Sequence, residues 1–443
     1  MEDLKGLWHL FACAFLFYYA NCIVIPSITD VTMEALCPGE DRCSLAIYLT
    51  GFTQAITGLG TFLVTPVIGN LSDKYGRKTM LTLPMTVGII PLVILAFGRR
   101  RPFFYAYYCI KMFTGMFCEG TMLCLTHAYV ADKTCERRRI SAFGVLSGIS
   151  TAGFVTATLT ARFVPTFLTF QISAAVAISA MLYMRFFLAE TDGGASLAAD
   201  ESSRPLCSPS PPSDSESPAK LPILGKVSSL LDMVSLFKSS LILSRAAVVA
   251  FIESLGSSGF QASILYFLKA QFRFSKDQYA DLLLISGVAG ASSQLLLMPT
   301  LASAIGEEIL LSVGLLASSA NVLLTSIAWA SWVPYFSSTF VVLSVFLHPC
   351  LRTIVSKRVG PNDQGLAQGG ITGISSIASI ISPMFFTPLT ALFLSESAPF
   401  DFRGFSLMCS GFAQLTAFFL SATMISAIRL SKQNFSNGET TAV

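Results

Sequence analysis

"GNLSDKYGRK", residues 69–78, places Asp73, Lys74, Arg77 and Lys78 within one decapeptide. No charged residue occurs from 44 to 68 or from 79 to 98. Each of those uncharged stretches is long enough to cross a hydrocarbon core, which takes about 20 mostly apolar residues. The decapeptide is therefore a polar connection between two membrane spans. The rest of the chain agrees: of its 443 residues 53% are apolar and 12% charged, Phe occurs 36 times and the mean hydropathy is +0.65. Soluble proteins carry about 25% charged residues. A net charge of +3, with no basic tract interleaved with aromatics, gives no reason to expect nucleic acid as a partner.

Working outward, twelve apolar stretches qualify as spans, at about 7–29, 45–68, 79–98, 103–130, 140–163, 165–187, 246–268, 278–301, 309–330, 333–351, 365–394 and 404–428. The first is too long for a secretory signal and no small-residue cleavage site follows it. Pro26, Pro84, Pro91 and Pro349 fall inside spans, where neighbouring helices can satisfy the carbonyls that a kink frees. The sequence thus predicts an all-α polytopic membrane protein of two pseudo-symmetric six-helix bundles. Residues 1–191 form the first bundle and 241–443 the second bundle with a short tail. Between them, 192–240 is a linker whose Ser, Pro and acidic content suits a flexible, disordered segment.

Lys and Arg are concentrated on the side that holds both termini and the linker, which places that side in the cytosol. The sequons at Asn70 and Asn434 then lie in the cytosol and stay unglycosylated. Cys37 and Cys43 share a non-cytosolic loop where a disulfide can form. The other cysteines read as small apolar packing residues, and neither a CxxC pair nor a His/Cys cluster marks a metal site. No cofactor is expected.

The two halves resemble each other weakly. Sliding one over the other lays Leu71 on Leu301, Gly76 on Gly306 and His127 on His348. Glu307 and Glu308 then meet Arg77 and Lys78, so the turn is kept in both halves while its basic pair is kept in one. The charge latch is therefore expected on the first half only.

The decapeptide resembles the G-x-L-[SA]-D-[RK]-x-G-R-[RK] loop signature of the major facilitator superfamily, at the place between spans two and three where that family carries it. Lys111-Met-Phe-Thr-Gly115 resembles the R-x-x-x-G element of the family's fourth span, with Lys for Arg. "AYVADKTCERRRISAFG" (128–144) resembles the next connection in the tetracycline-resistance branch, and "FFLAET" (186–191) the usual exit from span six. Across all twelve spans the chain is most similar to the tetracycline-resistance-like group, including hippocampus-abundant-transcript-like proteins and their plant relatives. The resemblance implies a transporter whose decapeptide latches the halves on the cytosolic side in one state. Gly69, Asp73, Gly76, Arg77 and Asp132 are the gate residues, with Asp132 as the partner of Arg77. Two departures stand out: span one has no acidic residue, and span five lacks the Gly-Pro of the antiporter element. Export by the tetracycline mechanism is therefore not carried over.

A charge placed mid-membrane costs about 2.5–3.5 kcal/mol on insertion scales, so such residues are functional candidates. Here they are Lys111 and Glu119 in span four, Glu253 in span seven and His348 in span ten, with polar Asn21 in span one. The resemblance implies that spans one, four, seven and ten line a central cavity. Glu253, Ser257 and Gln261 share one helical face, and partial burial would let Glu253 gain and lose a proton. Lys111 and Glu119, about 12 Å apart on one helix, are too distant to pair directly. Lys111 faces another helix, an anionic group of a solute or a cavity carboxylate.

These features point to a secondary transporter moving a small organic solute by alternating access, sufficient as a monomer in the bilayer, with protons as the candidate coupling ion. A facilitative sugar-like carrier is the nearest rival. A non-transporting receptor or trafficking helper would be expected to have lost the latch and cavity charges. No phosphate loop, nucleophile motif or metal spacing points to an enzyme.

Overall fold

The computed structural model describes residues 7–39, 43–98, 100–134, 136–190, 235–297, 301, 304–359 and 364–440. All but a few residues of the linker predicted at 192–240 thus lie outside the described residues, as do Gly69 beyond its helical backbone and the side chains of Asp73 and Glu119.

Each of the twelve stretches is largely helical over its described residues. Span one is split into Trp8–Cys22 and Ile25–Leu36. Pro26 lies in the first turn of the second piece, where its missing N–H would have no intrahelical partner anyway. The first half continues with Ser44–Tyr75, Arg77–Phe97, Arg101–Lys133, Glu136–Phe163 and Thr166–Phe187. Pro84 and Pro91 sit inside one continuous helix. The second half runs through Leu241–Phe272, Lys276–Ser292 with a π-turn at Ser293–Leu297, and Glu307–Ser326. Span ten is broken into Val333–Ser337, Ser338–Phe340, Val341–Ser344 and Leu347–Ser356, with Pro349 in the first turn of the last piece. Gln364–Leu394 and Phe405–Thr440 follow.

Among the described residues, nine of these segments are long and apolar enough to cross a membrane. Spans four, five and eight are not among those nine. All three pack among the nine: span four against two and three, span five against one and eight, and span eight against five and ten.

Within the first half, span one packs on five and six, and span three on four and six. Within the second, span seven packs on eleven and twelve, and span nine on ten and twelve. The halves are joined chiefly by span two with eleven and span five with eight, with smaller contacts of span two with seven and span one with eight. Buried apolar side chains form separate cores in each half, around Leu10, Leu81 and Tyr129 in one and Leu243, Leu311 and Phe346 in the other. A further core bridges them, with Ile47 of span two packed among Tyr266, Phe274 and Tyr279. Helices crossing a bilayer gain nothing from moving apolar surface between lipid and protein, so contacts of this kind depend on close packing and interhelical hydrogen bonds.

The molecule has two ends. The tail end carries the first residues of span one, the decapeptide, Glu190 and the last helix. The far end carries residues 30–39, 43–44, 98, 100–101, 162–166, 269–281 and 327–333.

Candidate functional site

At the tail end the decapeptide closes a tight turn. Ser44–Tyr75 ends at Gly76, which has φ +91° and ψ 147°, and the next helix starts at Arg77. Such torsions are accessible essentially to glycine alone. Having no side chain, Gly76 cannot cap the helix it precedes. Glu190, from the exit of span six, does so instead: its carboxylate accepts from the backbone N–H of Lys78 at 2.7 Å and of Thr79 at 3.2 Å, and from Thr79 Oγ1 at 3.0 Å. A Cβ on Gly76 would lie 2.6 Å from Glu190 Oε1, so the glycine also makes room for its remote cap.

Arg77 Nε donates to Asp132 Oδ2 at 2.9 Å, and Nη1 donates to Ser72 Oγ. The pair ties span three to span four within the first half. The second half repeats the turn, with Gly306 at φ 82° and ψ 153°. It also repeats the tie with polarity reversed: Lys357 Nζ donates to Glu307 Oε1 at 2.8 Å. The expectation of a charge tie in the first half alone is thus corrected. Glu307 and Glu308 stand where the first half has Arg77 and Lys78, but an ion pair keeps its attraction when its signs are exchanged.

Ion pairs between the halves gather at the far end. Lys269 Nζ of span seven donates to Asp30 Oδ1 of span one. Arg162 at the end of span five reaches Asp281 Oδ1 at 2.8 Å and Asp277 Oδ2 at 3.4 Å, both at the start of span eight. Lys276 Nζ donates to the carbonyl of Val164. Deeper in, Tyr266 Oη donates to the Ala46 carbonyl at 3.1 Å and is in contact with Thr50 Oγ1.

Below these ties lies a cavity of about 750 Å³ between the halves. Lys111 and Gln54 from the first half and Gln261, His348, Arg352 and Thr372 from the second line it, among many Ser and Thr hydroxyls. Phe104, Tyr107, Tyr108 and Tyr266 form its aromatic part. Arg352 Nη2 donates to Thr372 Oγ1 at 3.0 Å, which orients the guanidinium. His348 and Arg352 are one turn apart on Leu347–Ser356 and so share a face. Among the described lining residues there is no Asp or Glu.

Of the cavity candidates, Lys111, Gln261 and His348 are therefore brought together. Asn21 is not among the lining residues and donates instead to the Phe17 carbonyl of its own helix at 2.9 Å. Glu253 also lies outside the lining: it is 3% exposed, bonded to Ser254 Oγ at 3.4 Å and within electrostatic reach of His348. Spans two and eleven contribute to the wall alongside one, four, seven and ten. Their role is carried by Thr, Gln and Ser, which a search for mid-membrane charge passes over. Arg352 lay one residue beyond the predicted edge of span ten, and its position one turn after His348 is the signal that could have found it. Gly115, the end of the Lys111 element, lets span two approach: a Cβ there would lie 2.5 Å from Thr57 Oγ1.

Cys37 and Cys43 are disulfide-bonded at the far end, with Cα atoms 6.0 Å apart.

Comparison with known proteins places this architecture. The chain is 23% identical to the Hippocampus abundant transcript 1 protein of Mus musculus over 81% of its own length and 69% of that protein's. It is 25% identical to the Hippocampus abundant transcript-like protein 1 of Bos taurus (85% and 70%) and 24% identical to the class C tetracycline resistance protein of Escherichia coli (77% and 80%). Among solved structures, the human organic anion transporter MFSD10 (TETRAN) superposes with a TM-score of 0.63 at 18% identity, covering 95% of this chain and all of that one. The nucleoside transporter NupG superposes with a TM-score of 0.67 at 14% identity, covering 95% and 99%. The Major Facilitator Superfamily model matches residues 10–383, and the chain belongs to that superfamily.

Proposed function

We propose that the protein moves a small organic solute by alternating access, with the described conformation closed at the far end. The observation that carries this reading is the polar cavity of about 750 Å³ between the halves, beneath the inter-half ties of Asp30–Lys269 and Arg162–Asp281. That volume lies in the range of small-molecule sites, roughly 300–1,000 Å³. Membership of a transporter superfamily supports the same reading. The solved relatives are named for an organic anion and for nucleosides, which share no single chemistry, so their names support solute transport without choosing a solute.

The tail end, with both termini and the linker, faces the cytosol in this reading. The Cys37–Cys43 disulfide at the far end supports that orientation, because disulfides persist in oxidising compartments and are rare in the cytosol. Gly69, Asp73, Gly76, Arg77 and Asp132 form the cytosolic gate element, and Asp132→Asn lowers turnover at equal abundance. Glu253 is the coupling group: a buried carboxyl is costly to ionise and changes protonation as its surroundings open and close.

The test is uptake by purified protein in liposomes, screened over organic solutes with and without an inward pH gradient. Solute uptake absent from protein-free liposomes supports transport. Acceleration by the gradient, lost in Glu253→Gln, supports proton coupling. Flux that ignores both the gradient and the substitution assigns facilitated diffusion, and absence of uptake for every solute class removes the transporter reading.

A further inference from the structure

We infer that the solute carries an amide edge, an N–H beside a C=O as in lactams and imides, and that Gln54 of the first half and Gln261 of the second hold that edge at the roof of the cavity. The inference rests on the transporter reading above and names the chemistry of its solute.

The contact of Tyr266 with Thr50 sets the level of the two glutamines. Span two runs from the far end towards the tail end, and span seven runs the opposite way. Gln54 comes four residues after Thr50 and Gln261 five before Tyr266. At 1.5 Å per residue they sit about 6 Å and about 7.5 Å beneath that contact, and both line the cavity. Each half therefore presents one carboxamide at nearly the same depth, under the place where the halves touch.

Among the described residues neither side-chain amide has a hydrogen-bond partner. The hydroxyls around them are committed as donors: Thr50, Thr53, Ser376 and Ser379 all donate to carbonyls of their own helices. A carboxamide offers a donor and an acceptor side by side. A carboxylate supplies only acceptors and an ammonium only donors, so each leaves half of the carboxamide unmatched. An N–H beside a C=O matches both atoms at once.

The rings beside the amides set the body of the solute. Tyr108 Oη donates to the Leu49 carbonyl at 2.7 Å and Tyr266 Oη to the Ala46 carbonyl at 3.1 Å. Their polar tips are thus engaged by the backbone of span two, which leaves aromatic surface for the cavity they line. A flat ring lies well against such surface, whereas hydroxyls of a polyol would face it without partners. An edge held by both amides also joins the halves beneath their contact, so occupancy favours the form closed at the far end.

The test uses full-length purified protein with pyridone, glutarimide and phthalimide as probes. Each is paired with its N-methyl counterpart, which keeps the ring and loses the donor. Inositol, glucose, benzoate and benzylamine represent polyols, anions and amines. Binding is read as thermal stabilisation and transport as uptake into liposomes. At least one N–H probe should bind and be taken up about tenfold better than its N-methyl counterpart and than the polyols, anion and amine. Gln54→Met and Gln261→Met keep the side-chain length and remove the amide. In each, affinity for the N–H probe should fall about tenfold, while that for the N-methyl counterpart stays as in the parent. A folding defect would weaken both probes alike, so the lost discrimination reports recognition. Gln54→Glu and Gln261→Glu keep the shape and lose the donor, and should show the same loss. Equal binding of N–H and N-methyl probes overturns the amide inference and leaves the transporter standing. So does discrimination that survives the substitutions, or a preference for polyols, anions or amines. A protein that takes up no member of any class overturns the transporter reading, and the inference with it.

Discussion

Replacing Asp30 by Asn and Arg162 by Gln removes the described inter-half ion pairs of the far end while leaving the tail-end pairs in place. The Asp30 and Lys269 side chains are 28% and 20% exposed, so their attraction is the less screened, and about 1 kcal/mol is expected from it. Arg162 is 37% exposed and meets two carboxylates, at 2.8 and 3.4 Å; each should contribute about 0.5 kcal/mol. Together the two substitutions should shift the balance between far-end-closed and far-end-open forms by about 2 kcal/mol, or roughly 30-fold. Spin labels at Phe163 and Trp332, one per half and both exposed at the far end, report the separation by double electron–electron resonance. The labels go into a background where every cysteine outside the Cys37–Cys43 disulfide is serine. The double variant should populate a longer distance at the expense of the shorter one. In the protein with the pairs intact, 1 M salt should move the distribution the same way, because it cuts the screening length to about 3 Å. An unchanged distribution in the double variant, or a salt response as large there as in the parent, would refute the assignment of these pairs as the tie that holds the far end.

The glycine turns give a matched comparison: Gly306→Ala should cost about 1–3 kcal/mol from torsion alone, since no atom of the described residues lies within 4 Å of its Cβ position. Gly76→Ala should cost more by thermal unfolding, and the excess should vanish in a Glu190→Ala background if the carboxylate is its source. Glu190→Gln removes the charge from the remote cap and should lower stability by about 1 kcal/mol, with no change if the cap is only apparent. Alkylation should leave Cys37 and Cys43 unmodified until the protein is reduced, and labelling of both before reduction would contradict the disulfide.

Much of this architecture is legible in the sequence because a bilayer allows few solutions. Every backbone polar group must be satisfied within a span, so uncharged runs such as 44–68 and 79–98 can be only helices of known length. The decapeptide was equally legible, since its glycine and charges serve a turn between two such runs. The cavity was legible only where charge marked it. Lys111 and His348 stood out against apolar neighbours, whereas Thr50, Thr53 and Ser376 did not, because hydroxyls bond back to their own helix at little cost and occur throughout the spans. The far-end ties were illegible for another reason. Asp30, Arg162 and Lys269 sit at span ends, where charge is ordinary, and only the assembly of the two halves, with span five packed on eight, turns them into partners.

The reversed polarity of the two tail-end ties follows from where each carries its negative charge. A helix N-terminus favours an anion in its first turn, by about 0.3–1 kcal/mol. The helix Glu307–Ser326 supplies its own in Glu307 and Glu308. The helix Arg77–Phe97 opens on Arg77 and Lys78, cations where the dipole prefers the opposite sign. Its anion comes instead from Glu190, more than a hundred residues further along the chain, bonded to the N–H groups of the first turn. The same turn is thus built twice, but in the first half it is completed only when span six has packed and brought Glu190 to Gly76. Arg77 of the decapeptide thus belongs to a three-point joint of spans three, four and six, assembled through Arg77–Asp132 on one side and Glu190 on the other.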